Sequence, residues 1–244
     1  MKNKQTTIVA ILVIIIIFLT CFVIYQRYQH KQFLQKTLYS LIYYKANHLA
    51  SMKELIQEGA DVNAIQGSLP PPISASAGQS YEISKLLLEN GANVNQVYSE
   101  NLKMPLYYAV CSGDIRMVKL FNKYGGKFND IKSPEMDTAF EFASACGYQD
   151  IVEFLSKLYA INNHEYNNAI NPASESKYSE CINTIKYLIA NPPCNITKGI
   201  NGGILKAQDS GNTEIAKILK KKKLQTFCPS PKAPKGQKPH PRDD

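Results

Sequence analysis

One helix-ending motif is written repeatedly along this chain, and its spacing constrains the fold more than any other feature. The stretches "LIQEGADVN" (Leu55 to Asn63) and "LLLENGANVN" (Leu86 to Asn95) both run from an apolar helix end through a glycine into a polar turn. The turn asparagine recurs as Asn63, Asn95, Asn129 and Asn163, in steps of 32, 34 and 34 residues. Ahead of these lie "LASMKELI" from Leu49, "YEISKLLL" from Tyr81, "IRMVKLF" from Ile115 and "QDIVEFL" from Gln149. The column Leu55, Leu87, Phe121, Leu155 is always large and apolar, and the column Lys53, Lys85, Lys119, Glu153 is always charged. That pattern predicts four amphipathic helices, each with one buried face.

After the first three helices, Gly59, Gly91 and Gly125 fall just past the last apolar residue. Glycine there takes the left-handed conformation that closes a helix, and the following asparagine suits a tight turn. Each unit also has an earlier helix, clearest in "LYYAVCSG" from Leu106 and "FEFASACG" from Phe140, with Ala109 and Ala143 in register. A small residue lets the two helices of a unit approach closely. Such a pair is too small to bury its own apolar face, so neighbouring units must stack.

The period, the two-helix unit and "LLLENGANVN" resemble the ankyrin repeat family, over roughly Leu38 to Lys223. The resemblance implies an all-α solenoid of five to six helix-turn-helix units. "GILKAQDSGNTEIAKILK", from Gly203, matches again, with Gly211 two steps of 32 after Gly147. A degenerate fifth unit fits between, with "INTIKYLIANPPCN" as its second helix and turn, where Pro192 and Pro193 stand in the Gly-Ala slots. The family's T-P-L-H opening is eroded to "MPLY" at Met104, "TAFE" at Thr138 and "PPIS" at Pro71, which removes most of the usual Thr and His hydrogen bonds and lowers the expected stability.

The N-terminus carries a different signal. Ile8 to Tyr25, "IVAILVIIIIFLTCFVIY", is a run of 18 residues without a charge, about the length needed to span the ~30 Å hydrocarbon core of a bilayer. The run is longer than the apolar core of a typical cleaved signal and no A-x-A-like site follows it, which predicts an uncleaved single-pass anchor with Tyr25 and Tyr28 at headgroup level. Lys2 and Lys4 precede it while Arg27, Lys31 and Lys36 follow, so the flanking charges nearly cancel. The short basic tail points to a cytoplasmic N-terminus and an exported body. Phe33, Leu34, Leu38, Leu41 and Ile42 have helical spacing, so the juxtamembrane segment is expected to run as helix into the first unit. The expected organisation is a basic tail over 1–7, a transmembrane helix over 8–25, a helical linker over 26–37, repeats over 38–224 and a disordered Pro/Lys-rich tail over 225–244.

The net charge of +8 is concentrated at the ends. Residues 1–45 hold six basic and no acidic groups, and residues 220–244 hold eight basic and two acidic. The body between has 14 basic and 18 acidic residues, so no nucleic-acid-binding face is expected. "KKKK", Lys220 to Lys223, gives the last helix a solvated surface, as a terminal repeat requires. The tail beyond it reads either as a solubilising end or as a basic arm for anionic lipid or an acidic partner.

The sequence holds no catalytic constellation: His30, His48, His164 and His240 are scattered, with no H-E-x-x-H, G-x-S-x-G or P-loop. "GINGG", Gly199 to Gly203, stands in a turn slot and lacks the Lys and Ser/Thr of a phosphate loop. Cys111 and Cys146 read as small residues at helix ends, and Cys181 and Cys194 are spaced to pair if the body is exported. No cofactor, metal or small-molecule substrate is expected. What remains is surface recognition of a protein partner. In the ankyrin family the turn fingers and first-helix ends form a concave binding face, and by position this implies Glu100, Asn101, Lys103, Tyr107 and Ser112 in the third unit and Glu135, Asp137 and Glu141 in the fourth. This face is more acidic than basic, which favours a basic partner. The expected function is a non-catalytic, membrane-tethered scaffold or regulator; the alternative is a secreted effector or protective factor released by cleavage of the N-terminal segment.

Overall fold

The computed structural model describes residues 2–43, 48–65, 69–96, 105–128, 138–176, 179–192 and 196–223, with side chains from residue 11 onward. All regular elements among the described residues are helices. The chain forms two compact units, Met1–Ala143 and Ser144–Asp244. The first contains α1 (Lys2–Tyr43), α2 (Leu49–Gln57), α3 (Pro72–Ala77), α4 (Tyr81–Glu89), α5 (Pro105–Cys111) and α6 (Ile115–Lys123), and α7 (Ala139–Ala145) straddles the division. The second contains α8 (Gln149–Leu158), α9 (Asn163–Glu175), α10 (Cys181–Ala190), α11 (Thr197–Asp209) and α12 (Thr213–Lys223).

Two parallel rows of helices build the first unit. First helices stack as α1 on α3 and α3 on α5, second helices as α2 on α4 and α4 on α6, and α1–α2, α3–α4 and α5–α6 are the pairs within a layer. The predicted apolar column supplies the core between the rows: Leu87 and Phe121 are fully buried, while Leu55 in the first layer is half-buried. Lys53, Lys85 and Lys119 face solvent. Ala109 and Ala143 are fully buried, as close helix approach requires.

The copied helix stop has a common geometry. Gly59, Gly91 and Gly125 have φ of 106°, 85° and 82°. In each case the following N–H reaches back to the carbonyl of the apolar column: Ala60 to Leu55 at 2.9 Å, Ala92 to Leu87 and Gly126 to Phe121 at 3.0 Å. The glycine N–H bonds one residue later, to Ile56, Leu88 and Asn122. This paired closure satisfies carbonyls that the helix end would otherwise orphan.

The turn asparagines do more than tolerate the turn. Asn63 Nδ2 donates to the Gly91 carbonyl at 2.9 Å while its Oδ1 accepts from Asn93 N at 2.7 Å. Asn95 repeats the arrangement one layer on, with the Gly125 carbonyl at 2.9 Å and Lys127 N at 3.0 Å. Each side chain therefore bridges one corner to the next. Asn129 lies outside the described residues. Asn163 departs from the expectation: it is the first residue of α9, not a turn residue. No glycine follows α8, so the chain leaves through Tyr159 in an extended conformation, and Asn162 caps α9 by accepting from Glu165 N at 2.9 Å.

At the N-terminus the expected helix is a single element. α1 has 42 residues, about 63 Å at 1.5 Å per residue, and no glycine or proline occurs before Gly59. Leu34, Leu38 and Ile42 are buried in the first layer, but Phe33 is 64% exposed. Gln35 and Tyr39, which carry no apolar signal, are buried among them. Gln35 exchanges two hydrogen bonds with the Asp61 backbone (2.9 and 3.0 Å), and Tyr39 Oη donates to the carbonyls of Ala64 and Pro70.

In the second unit α9 packs on α10 and α11, α11 on α12, α8 on α10 and α10 on α12. Here "GINGG" is not a turn but the first half of α11. A Cβ on Gly203 would lie 2.8 Å from Ser174 Oγ and 2.9 Å from Ile170, and one on Gly199 would lie 2.8 Å from the Asn167 backbone. The glycines let α11 approach α9 closely, against backbone at Gly199 and against side chains at Gly202 and Gly203. Asn167 Oδ1 accepts from Gly199 N and so caps α11 from a neighbouring helix. The degenerate turn after α10 is held by Tyr166, whose Oη donates to Leu188 O and Asn191 O at 2.8 and 2.9 Å. Pro193, Cys194 and the tail over 225–244 lie outside the described residues.

Candidate binding face

Of the residues expected to meet a partner, Glu100, Asn101, Lys103, Glu135 and Asp137 lie outside the described residues. Tyr107 is half-buried on α5. Its ring lies 5.6 Å from Tyr108, edge to face, and 5.2 Å from Phe142 on α7, so α5 and α7 share a continuous aromatic patch. Tyr108 and Phe142 were not among the expected contacts. Their signal is a 34-residue register, the same step that links Ala109 to Ala143.

Two of the expected residues serve the scaffold. Ser112 Oγ donates to Ala109 O at 2.7 Å and accepts from Asp114 N at 3.2 Å, which shapes the corner between α5 and α6. Glu141 is 4% exposed, because its place in the first turn of α7 points into the protein. Its backbone N–H bonds Thr138 Oγ1 at 3.2 Å, so the one threonine kept from the family opening still caps its helix.

A separate groove of about 290 Å³ runs between the corner after α3 and the start of α6. Asp114 caps α6 through Arg116 N at 2.8 Å and pairs with the Arg116 guanidinium at 2.7 Å; that guanidinium lies 5.5 Å over the Tyr81 ring. The hydrogen bond from Arg116 holds the Asp114 carboxyl below the usual aspartate range. Asp114 and Arg116 neutralise each other here, and Glu82 adds a second carboxylate to the groove lining. Burial pushes the Cys146 and Cys181 thiols up, and Cys181 Sγ donates to Ala145 O at 3.4 Å. Both are protonated near neutral pH and poor nucleophiles. Cys181 is a free thiol, and Cys194, to which it is spaced to pair if the body is exported, lies outside the described residues. Among the described residues no cluster of His, Cys, Asp or Glu has metal-binding geometry.

In the first unit, two rows of helices, glycine corners in register and asparagine bridges between corners define a solenoid of stacked two-helix layers. The family model for ankyrin repeats (3 copies) matches residues 38–132 and 73–167, together just over half the chain. The chain belongs to the ankyrin repeat family. The fold is similar to the crystal structure of the human ASB11 ankyrin repeat domain, with a TM-score of 0.61, 21% identity, and coverage of 76% of this chain and 82% of that one. A putative E3 ubiquitin-protein ligase, XBAT34 of Arabidopsis thaliana, is 31% identical over 109 residues, 43% of this chain and 29% of its own length. The putative ankyrin repeat protein L371 of Acanthamoeba polyphaga mimivirus is 32% identical over 83 residues, 34% of this chain and 11% of its own. The chain matches less than a third of the length of either curated relative. Ankyrin repeats are protein–protein interaction modules, and the family is generally a non-catalytic scaffold.

Proposed function

We propose that the protein is a single-pass, membrane-tethered scaffold or regulator that holds a partner protein on the face carrying Tyr107, Tyr108 and Phe142. By sequence, Glu100, Asn101, Lys103, Glu135 and Asp137 precede the two helices that carry these rings, and their acidic excess favours a basic partner. Half-buried aromatic rings supply contact area at low entropic cost, the usual character of an interface anchor.

The observation that carries the tether is the bare apolar band of α1. Ile14, Phe18 and Ile24 are 64%, 71% and 66% exposed, and α1 is the one described helix long and apolar enough to cross a membrane. Each such side chain left in water forgoes about 1.5–3 kcal/mol relative to burial, so a run of them calls for a lipid environment. Lys2 and Lys4 on the cytoplasmic side leave the repeats exported. The full chain should co-float with lipid vesicles, and deletion of Ile8–Tyr25 should release it. A mature chain starting at Met1 or Lys2 fits the anchor; one starting beyond Tyr25 would replace this reading with a secreted effector. Joint charge reversal of Glu100, Glu135 and Asp137 should weaken capture of a partner from membranes, and unchanged capture would remove the face.

A further inference from the structure

The membrane helix and the first repeat helix are the same element. The apolar run ends at Tyr25 and the first buried repeat residue is Leu34, and the intervening stretch is fully exposed helix with no glycine or proline. Nine residues of helix rise about 14 Å. The headgroup region on each side of a bilayer is roughly 5–8 Å deep, so the first layer begins just above it. Arg27 and Lys31, about one turn apart, are both exposed in this stretch.

We propose that α1 is a rigid strut that holds the repeat array at a fixed height and orientation over the bilayer. The partner must then present its docking segment close to the headgroups. The argument is thermodynamic. Helix nucleation is the unfavourable step, and here both ends are already fixed, one by lipid and the other by Leu34, Gln35, Leu38, Tyr39 and Ile42. Melting the exposed turns between them loses backbone hydrogen bonds and gains no new burial. A flexible linker of eight residues would instead let the array sample many orientations.

This inference rests on the tether reading, and one experiment separates the two. The full chain, with a fluorescent amino acid replacing Lys53 on the exposed side of α2, is placed in 3:1 phosphatidylcholine–phosphatidylglycerol vesicles containing a headgroup acceptor. Seven alanines, or a seven-residue Gly-Ser segment, are inserted between Tyr28 and Gln29. The alanine insert adds two helical turns, about 10 Å, while nearly preserving azimuth. Energy transfer should fall with the alanine insert while residual anisotropy stays at the native value. The Gly-Ser insert should lower residual anisotropy about twofold by freeing the array to wobble on the nanosecond scale. Equal transfer from both inserts, or a native anisotropy already as low as the Gly-Ser variant, overturns the strut. A chain that does not float with the vesicles overturns the tether itself.

Discussion

At the scale of single residues, the apolar and charged columns make opposite predictions one helical face apart. Leu87 is fully buried, so Leu87→Ala should cost about 2–5 kcal/mol in urea denaturation. Lys85 is half-exposed and pairs only loosely with Glu89 at 3.9 Å, so Lys85→Ala should stay within about 0.5 kcal/mol. Equal losses at the two sites would contradict the register. Asp114 gives a pH-dependent test. Asp114→Ala removes the cap of α6 and should cost about 1 kcal/mol at pH 7. Because its hydrogen bond with Arg116 depresses the folded-state pKa, this stabilisation is present above the ordinary aspartate pKa and disappears as pH falls through the folded value. The difference between variant and parent should therefore shrink below about pH 4; a difference independent of pH would show that the carboxylate charge is irrelevant. Leu87 and Lys85 were legible from the sequence because their environments follow from helical period alone. Gln35 and Tyr39 were not, since a glutamine between leucines reads as surface until its partner at Asp61, 26 residues on, is known.

At the scale of elements, glycine has two distinct jobs. At the corners it supplies a left-handed backbone in open space, with nothing within 4 Å of a Cβ at Gly91. In α11 it supplies close approach instead, and Gly203→Leu should destabilise the second unit by about 1–3 kcal/mol or more through overpacking against Ser174, Ile170 and Leu219. Thermal melts followed by far-UV circular dichroism would measure this, and a neutral result would mean that α9 and α11 are not in contact. The corner glycines were visible in the sequence because they recur at a fixed distance past an apolar column. The α11 glycines read as a turn from sequence, because they stand in a turn slot of the repeat. Only the proximity of α9 explains why a helix would hold three of them. The fourth corner was misplaced for a related reason: Asn163 keeps the period, but without a glycine before it the chain runs on until Asn162 can start α9.

At the scale of the whole molecule, a solenoid's stability is a sum of layer and neighbour terms, so damage should spread from its source. In hydrogen exchange, Leu87→Ala should lower protection most in α2, α4 and α6 and least in α11 and α12; a uniform loss would indicate one cooperative block. The sequence by itself determined the class of architecture, since helical period, corner glycines and repeat spacing are properties of consecutive residues and need no partner to be expressed. It also determined that the first 25 residues differ in kind from the rest, because an uncharged apolar run of that length has few uses in water. Tertiary structure alone decided which polar side chains stitch the layers, as Asn63, Asn95, Gln35 and Asn167 bond to backbone 26 to 32 residues away. It alone decided that Glu141 points inward while Phe142 joins the aromatic patch. The physical reason is common to these cases: a backbone preference is settled within a turn of chain, whereas the partner of a side chain is settled by which layer stacks beside it.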